Sequence, residues 1–191
     1  MMIIVAGLGN PGKEYSGTRH NIGYSAIDYM VDQYAFQKKG TTFKSKCFQG
    51  RVGRHHIMML KPETYMNLSG DAIHLAKQYY KIPSTQVIVI YDDVDTNFEI
   101  IRIRKQGGPG THNGMKSIVH MIGNDFMRIR IGIGPKPEKW ELNSFVLSDF
   151  NAFEKKTLPT ILKNTSDAVM CIIDKGIDTA MNQFNKKTPS I

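Results

Sequence analysis

Polar residues of chemically useful types gather at a few places in this chain. Asn10 follows the apolar run "MMIIVA", Asn67 closes "LKPETYMN", Asp92 and Asp93 end "VIVIYDD", and His112 and Asn113 follow the glycine-rich "GGPG". His20 stands where a polar loop gives way to helical spacing. A histidine assisted by an aspartate can activate water directly, because an imidazole titrates near neutral pH and a carboxylate steadies its protonated form. His20 is the best-placed candidate for that base. Each cluster also has an ordinary structural explanation: Asn10 before Pro11 and Asn113 before Gly114 are common turn or cap residues, and paired aspartates often open a loop.

Other chemistries find less support. None of the six histidines falls in a metal-ligand spacing such as HExxH, so no metal site is expected. A GxSxG elbow is absent. Gly7, Gly9 and Gly12 do spell the dinucleotide-binding GxGxxG. In that fold, however, the glycines turn straight into a helix whose N-terminus holds a pyrophosphate. Here "KEYSGTR" intervenes, and Asp28 and Asp32 lie inside the following helix rather than after a second strand. A nucleotide-binding oxidoreductase is therefore the weaker alternative.

These residues need a scaffold, and the apolar pattern predicts strands over Met2–Ala6, Phe43–Val52, Ile57–Leu60, Val87–Tyr91, Ile100–Arg104 and Arg128–Gly134. Helices are predicted over His20–Phe36, Ser69–Tyr80, Asn113–Ile122, Ala152–Asp174 and Ile177–Phe184, with Ser69 as an N-cap. The segment "FQGRVGRHHIMML" reads as a hairpin. The expected fold is α/β: a single three-layer domain over residues 1–185, with a mixed, twisted central sheet flanked by helices and a frayed tail over 186–191. Ligands of such folds bind beyond the carboxyl ends of the strands. Asn10, Asn67 and Asp92 converge there if their strands run the same way.

Composition narrows the partners. The net charge of +8 favours a polyanion such as nucleic acid. No apolar run approaches the roughly 20 residues of a membrane span, and no export signal is visible, so a cytoplasmic protein is expected. Cys47 and Cys171 make no disulfide framework or zinc spacing.

Taken together, "GLGNPGKEYSGTRHNIG", "KPETYMNLSG", "YDDVD", "THNGMKSI", "FVLSDF" and "RIRIGIG" closely resemble the bacterial peptidyl-tRNA hydrolase family over nearly the whole chain. The resemblance implies an enzyme that cleaves the ester between peptide and tRNA with no cofactor or metal. It implies that His20 is the base, Asp92 its carboxylate partner, and Asn113 the amide that positions water or stabilises the oxyanion. Asn10 and Asn67 are implied to hold the peptide end, Tyr15 and Met66 to line the site, and Arg104 and Arg130 to grip acceptor-stem phosphates. The implied partner is peptidyl-tRNA, met by a monomer with no obligate protein partner and no membrane. A catalytically idle relative that binds RNA or protein is the alternative within this resemblance. Two departures stand out: "DTNFE" replaces the family's Pro-Gly turn after the acidic motif, and Thr111 replaces a glycine before His112.

Overall fold

The computed structural model describes residues 1–185; the tail expected over 186–191 lies outside the described residues. The strands are β1 (Met2–Gly7), β2 (Gln37–Thr42), β3 (Ser45–Val52), β4 (His55–Pro62), β5 (Val87–Asn97), β6 (Ile101–Arg104) and β7 (Met127–Gly134). The helices are α1 (Ile22–Gln33), α2 (Ser69–Tyr80), α3 (Asn113–Ile122), α4 (Leu142–Val146), α5 (Ala152–Lys175) and α6 (Ile177–Phe184). One seven-stranded sheet runs in the order β2-β3-β4-β1-β5-β7-β6. Its four central strands are parallel, and antiparallel pairs close both edges, so the sheet is mixed.

A central parallel strand must be apolar on both faces, and β1 is. Ile3 and Val5 join a core built with α1, α5 and α6, whereas Ile4 and Ala6 join a second core built with α2 and α3. Three layers follow from that alternation. Because β1, β4 and β5 run the same way, the residues after them emerge on one edge, as the sequence required for Asn10, Asn67 and Asp92 to meet. No helix among the described residues is long and apolar enough to cross a membrane.

Several boundaries differ from those expected. The strand expected from Phe43 begins at Ser45, because Phe43 and Lys44 take positive φ of 52° and 51° and form the tight turn after β2. β2 itself lies at the sheet edge with little burial, so no apolar alternation announces it. The helix expected from His20 begins at Ile22, preceded by a 3-10 turn over Arg19–Asn21, and ends at Gln33 with Ala35 at φ 50°. Ser69 is not a cap: a 3-10 turn over Met66–Leu68 runs directly into α2, and the Ser69 hydroxyl donates back to the Met66 carbonyl at 2.8 Å. Helix α4, five residues long, is too short to show a period.

The glycines of "GLGNPG" serve close packing. A Cβ on Gly7 would sit 2.1 Å from the Gly23 carbonyl oxygen, and one on Gly23 would sit 2.5 Å from that of Ile90. The two bare positions let the N-terminus of α1 lie directly on β1 and β5, with Tyr24 N donating to the Leu8 carbonyl at 3.1 Å. This close approach, rather than a phosphate cradle, brings the turn carrying His20 to the strand ends. Gly12, at φ 117°, supplies the turn itself.

Candidate active site

Asp92 is the buried centre of the polar cluster, 3% exposed on β5. His20 Nδ1 lies 2.9 Å from each of its carboxylate oxygens. His112 Nε2 lies 3.0 Å from Oδ1. Burial alone would raise the Asp92 pKa, but the two imidazoles and their hydrogen bonds outweigh it and hold the carboxyl well below the usual carboxylate range. Asp92 is therefore an anion whenever the protein is folded near neutral pH.

The surroundings fix the tautomers. His112, not Asn113, is the N-cap of α3, its Nδ1 accepting from Met115 N at 3.2 Å. An acceptor at Nδ1 leaves the proton of a neutral ring on Nε2, which donates to Asp92. His20 meets the same carboxylate through Nδ1, so its proton sits there and its Nε2 is left basic. Both rings thus point protons at the carboxylate. His20, Asp92 and His112 are the types of residue that bind metals, but an Nε2–H aimed at Asp92 offers no lone pair to an ion. The arrangement fits hydrogen bonding.

Asn10 is held from two sides. Asn21 accepts from Asn10 N at 2.8 Å and donates to Asn10 O at 2.9 Å, and the Asn10 side-chain oxygen accepts from Met66 N at 2.8 Å. The same short turn thereby fixes His20 and, through Asn21, Asn10. Asn21 follows His20 in the sequence with nothing to mark its role.

Two recesses meet at His20. One is a groove of about 400 Å³ lined by Asn10, Tyr65, Met66, Asn67, Asn113 and Leu147 among others. The other is a more enclosed cavity of about 250 Å³ that includes Asp92, His112, Arg104, Arg128 and Arg130. His20, Asn113, Asn143 and Val146 line both. Of the residues singled out in the sequence, Asn10, His20, Met66, Asn67, Asp92, Asn113, Arg104 and Arg130 are all brought to these two recesses. Tyr15 reaches the groove through Tyr65, against which its ring stands edge-on at 6.4 Å.

Nothing in the sequence singled out Tyr65. It is 53% exposed at the groove and held at φ 57°, ψ 161°, a conformation that an L side chain seldom adopts and that concentrates at working sites. The two arginines differ in their surroundings. Arg104 is exposed, and its one side-chain hydrogen bond among the described residues goes to the adjoining Ile103 carbonyl. Arg130 is one-third exposed, with Nε 2.8 Å from the buried Asp93 carboxylate. Burial alone would lower the Arg130 pKa, but Asp93 more than offsets this and raises it. Arg128 is fully buried and bonded to the carbonyls of Gly108 and Asn124. Thr111 is exposed and does not take a positive φ, so its Cβ is accommodated without strain. Glu99, in the turn after "DTNF", does take one, at 74°.

The chain has close counterparts among known proteins. A family model described as peptidyl-tRNA hydrolase matches residues 4–190. The chain is 46% identical over 185 residues to the peptidyl-tRNA hydrolase of Caldanaerobacter subterraneus subsp. tengcongensis, covering 96% of this chain and 100% of the relative. It is 47% identical to that of Thermoanaerobacter sp. strain X514 with the same coverage. The crystal structure of peptidyl-tRNA hydrolase from Acinetobacter baumannii superposes with a TM-score of 0.91 at 33% identity, over 99% of this chain and 97% of that one.

Proposed function

The chain belongs to the peptidyl-tRNA hydrolase family, and from that premise we propose that it hydrolyses the ester joining a peptide to the terminal ribose of tRNA, with His20 as general base and Asp92 as its partner. The observation that carries the assignment of roles is the 2.9 Å approach of His20 Nδ1 to an ionised, buried Asp92, beside a groove lined by Asn10, Asn67 and Asn113. That pairing leaves His20 Nε2 to face water.

The steps follow from that arrangement. Nε2 takes a proton from a water molecule as its oxygen attacks the ester carbonyl carbon, and the carbonyl oxygen becomes an anion. Asp92 stabilises the imidazolium formed at His20. The amide of Asn113, which is exposed and borders both recesses, donates to the oxyanion without competing for His20 as a cation would. The carbon–oxygen bond to the ribose then breaks, and the departing oxygen takes the proton back from His20. Free tRNA and a peptide acid leave. General base catalysis of this kind contributes about 10²–10⁴-fold.

Recognition divides between the recesses. Asn10 and Asn67 bind the peptide end in the groove. The Asn10 oxygen is committed to Met66, and its amide hydrogens have no partner among the described residues, so it presents a donor in a fixed place. Met66 and Tyr65 form the apolar floor and rim, backed by Tyr15. Arg104 and Arg130 meet acceptor-stem phosphates, and the excess positive charge steers the polyanion. The reading includes a monomer acting in the cytoplasm.

The test is to incubate the protein with N-acetyl-aminoacyl-tRNA, with and without EDTA, and to follow free tRNA. Release undiminished by the chelator is expected. Binding without release would identify an idle RNA-binding relative instead.

A further inference from the structure

Arg19, the neighbour of the general base, is 7% exposed and lines neither recess. Its guanidinium is nevertheless engaged on several sides. Nη2 donates to both carboxylate oxygens of Glu154, at 2.9 and 2.7 Å. Nη1 donates to Ser148 Oγ at 3.2 Å and to the Asp149 carbonyl. The guanidinium carbon lies 4.8 and 5.0 Å from the ring centres of Phe145 and Phe150. The backbone adds to this: Arg19 N donates to the Ser148 carbonyl at 3.0 Å, and Thr18 bridges Asp149.

Three pieces of chain are tied together by this one side chain. The first is the turn carrying His20. The second is the stretch from Phe145 to Phe150 that ends α4. The third is the first turn of α5, where Glu154 and Asn151 form a capping box. Helix α4 and the residue after it supply Asn143, Val146 and Leu147 to the same groove that Asn10 and Asn67 line. Five residues of helix cannot hold a position by themselves.

We infer that Arg19 is a positioning residue that docks α4 against the His20 turn and so sets the width of the groove that receives the peptide end; this rests on the hydrolase reading above. A buried ion pair is weak evidence for stability, since apolar substitutes of similar size are often as good. What it provides here is direction. A planar guanidinium can meet a carboxylate, a hydroxyl and a carbonyl at once and still stack on rings, which a lysine cannot do.

Three variants test this: Arg19→Lys, Glu154→Gln, and the double replacement Arg19→Met with Glu154→Met, which keeps the volume and removes both charges. Steady-state kinetics on N-acetyl-aminoacyl-tRNA, well below each unfolding temperature, are read beside the unaltered protein. kcat/KM should fall by about 10- to 100-fold, as misplacement by about 1 Å does. The loss should lie mainly in KM, with kcat changed much less because His20 keeps Asp92. Amide exchange over residues 142–150 should quicken, while the stretch 161–173 of α5, which carries that helix's buried residues, keeps its protection. If the double variant does not fold, the two single variants decide the matter. Any folded variant with unaltered KM and unaltered exchange over 142–150 overturns the inference. An unaltered protein that releases no tRNA would instead overturn the hydrolase reading.

Discussion

His112 and Asp92 are joined across 3.0 Å by a hydrogen bond that also bears on the start of a helix, because the opposite nitrogen of the same ring caps α3. One imidazole therefore couples the charge of the site to the fold. The cap needs an acceptor at Nδ1, and this leaves Nε2 to carry the proton directed at Asp92.

Replacing His112 should separate its two duties. His112→Ala loses the cap and leaves one Asp92 oxygen with a partner fewer, so stability should fall by about 1–2 kcal/mol and kcat should also fall. His112→Asn keeps a good cap and should recover most of the stability but not the rate. Chemical denaturation and kinetics on the two variants check this. Full recovery of rate by asparagine would confine His112 to capping.

His20→Ala should reduce kcat by about 10²–10⁴-fold, the range expected for removal of a general base, while tRNA binding stays within a few-fold. Filter binding and single-turnover hydrolysis measure the two separately. Near-normal turnover would remove His20 from the reaction.

Asp92→Asn should lower kcat less than removal of His20 does, since the carboxylate that orients the ring and stabilises the imidazolium formed during the reaction is lost. Stability should change with pH as well. The folded Asp92 pKa is depressed, so its contribution is present above the ordinary carboxylate value and is lost as pH falls toward the folded one. Urea midpoints measured from neutral pH down to acid should therefore decline less steeply in Asp92→Asn than in the unaltered protein. Parallel declines would mean that Asp92 makes no such contribution.

Arg104→Ala should raise KM with little change in kcat or stability, and should flatten the log–log salt dependence by roughly 0.7–0.9 for each phosphate it no longer neutralises. Arg130→Ala should do the same but also destabilise, because it removes the charge 2.8 Å from the buried Asp93. A short substrate without the acceptor stem should be indifferent to Arg104→Ala. Equal losses on full and truncated substrates would sink the phosphate assignment.

Gly7→Ala should cost about 1–3 kcal/mol as an overpacking change, because its methyl meets the Gly23 carbonyl. It should also cut activity in the folded fraction, since a displaced α1 carries the His20 turn away from Asp92. Thermal unfolding and kinetics on the same sample test both.

What the amino-acid order determined by itself was the set of elements with strong periods and the chemistry at their ends. β1, β4 and β5 hold apolar runs and β7 an alternating pattern, all long enough to be read directly, and Asn10, Asn67 and Asp92 stand beyond or at the ends of the apolar runs. The resemblance of linked motifs then named the roles of His20 and Asn113. The edge strand β2 and the short α4 were illegible, because an exposed strand and little more than one helical turn carry no apolar period. Four things were decided only in three dimensions. The pairing of glycines 7 and 23 depends on the meeting of a strand end with a helix start. Asn21 gained its role by lying against the Asn10 backbone, and His112 by having one nitrogen at a helix start and the other at the Asp92 carboxylate. Arg19 looked like one more positive charge in a basic chain until folding buried it between Glu154 and two phenylalanines. Sequence spacing records periods along one element, whereas these roles arise where separate elements meet, and burial there decides which charges are held.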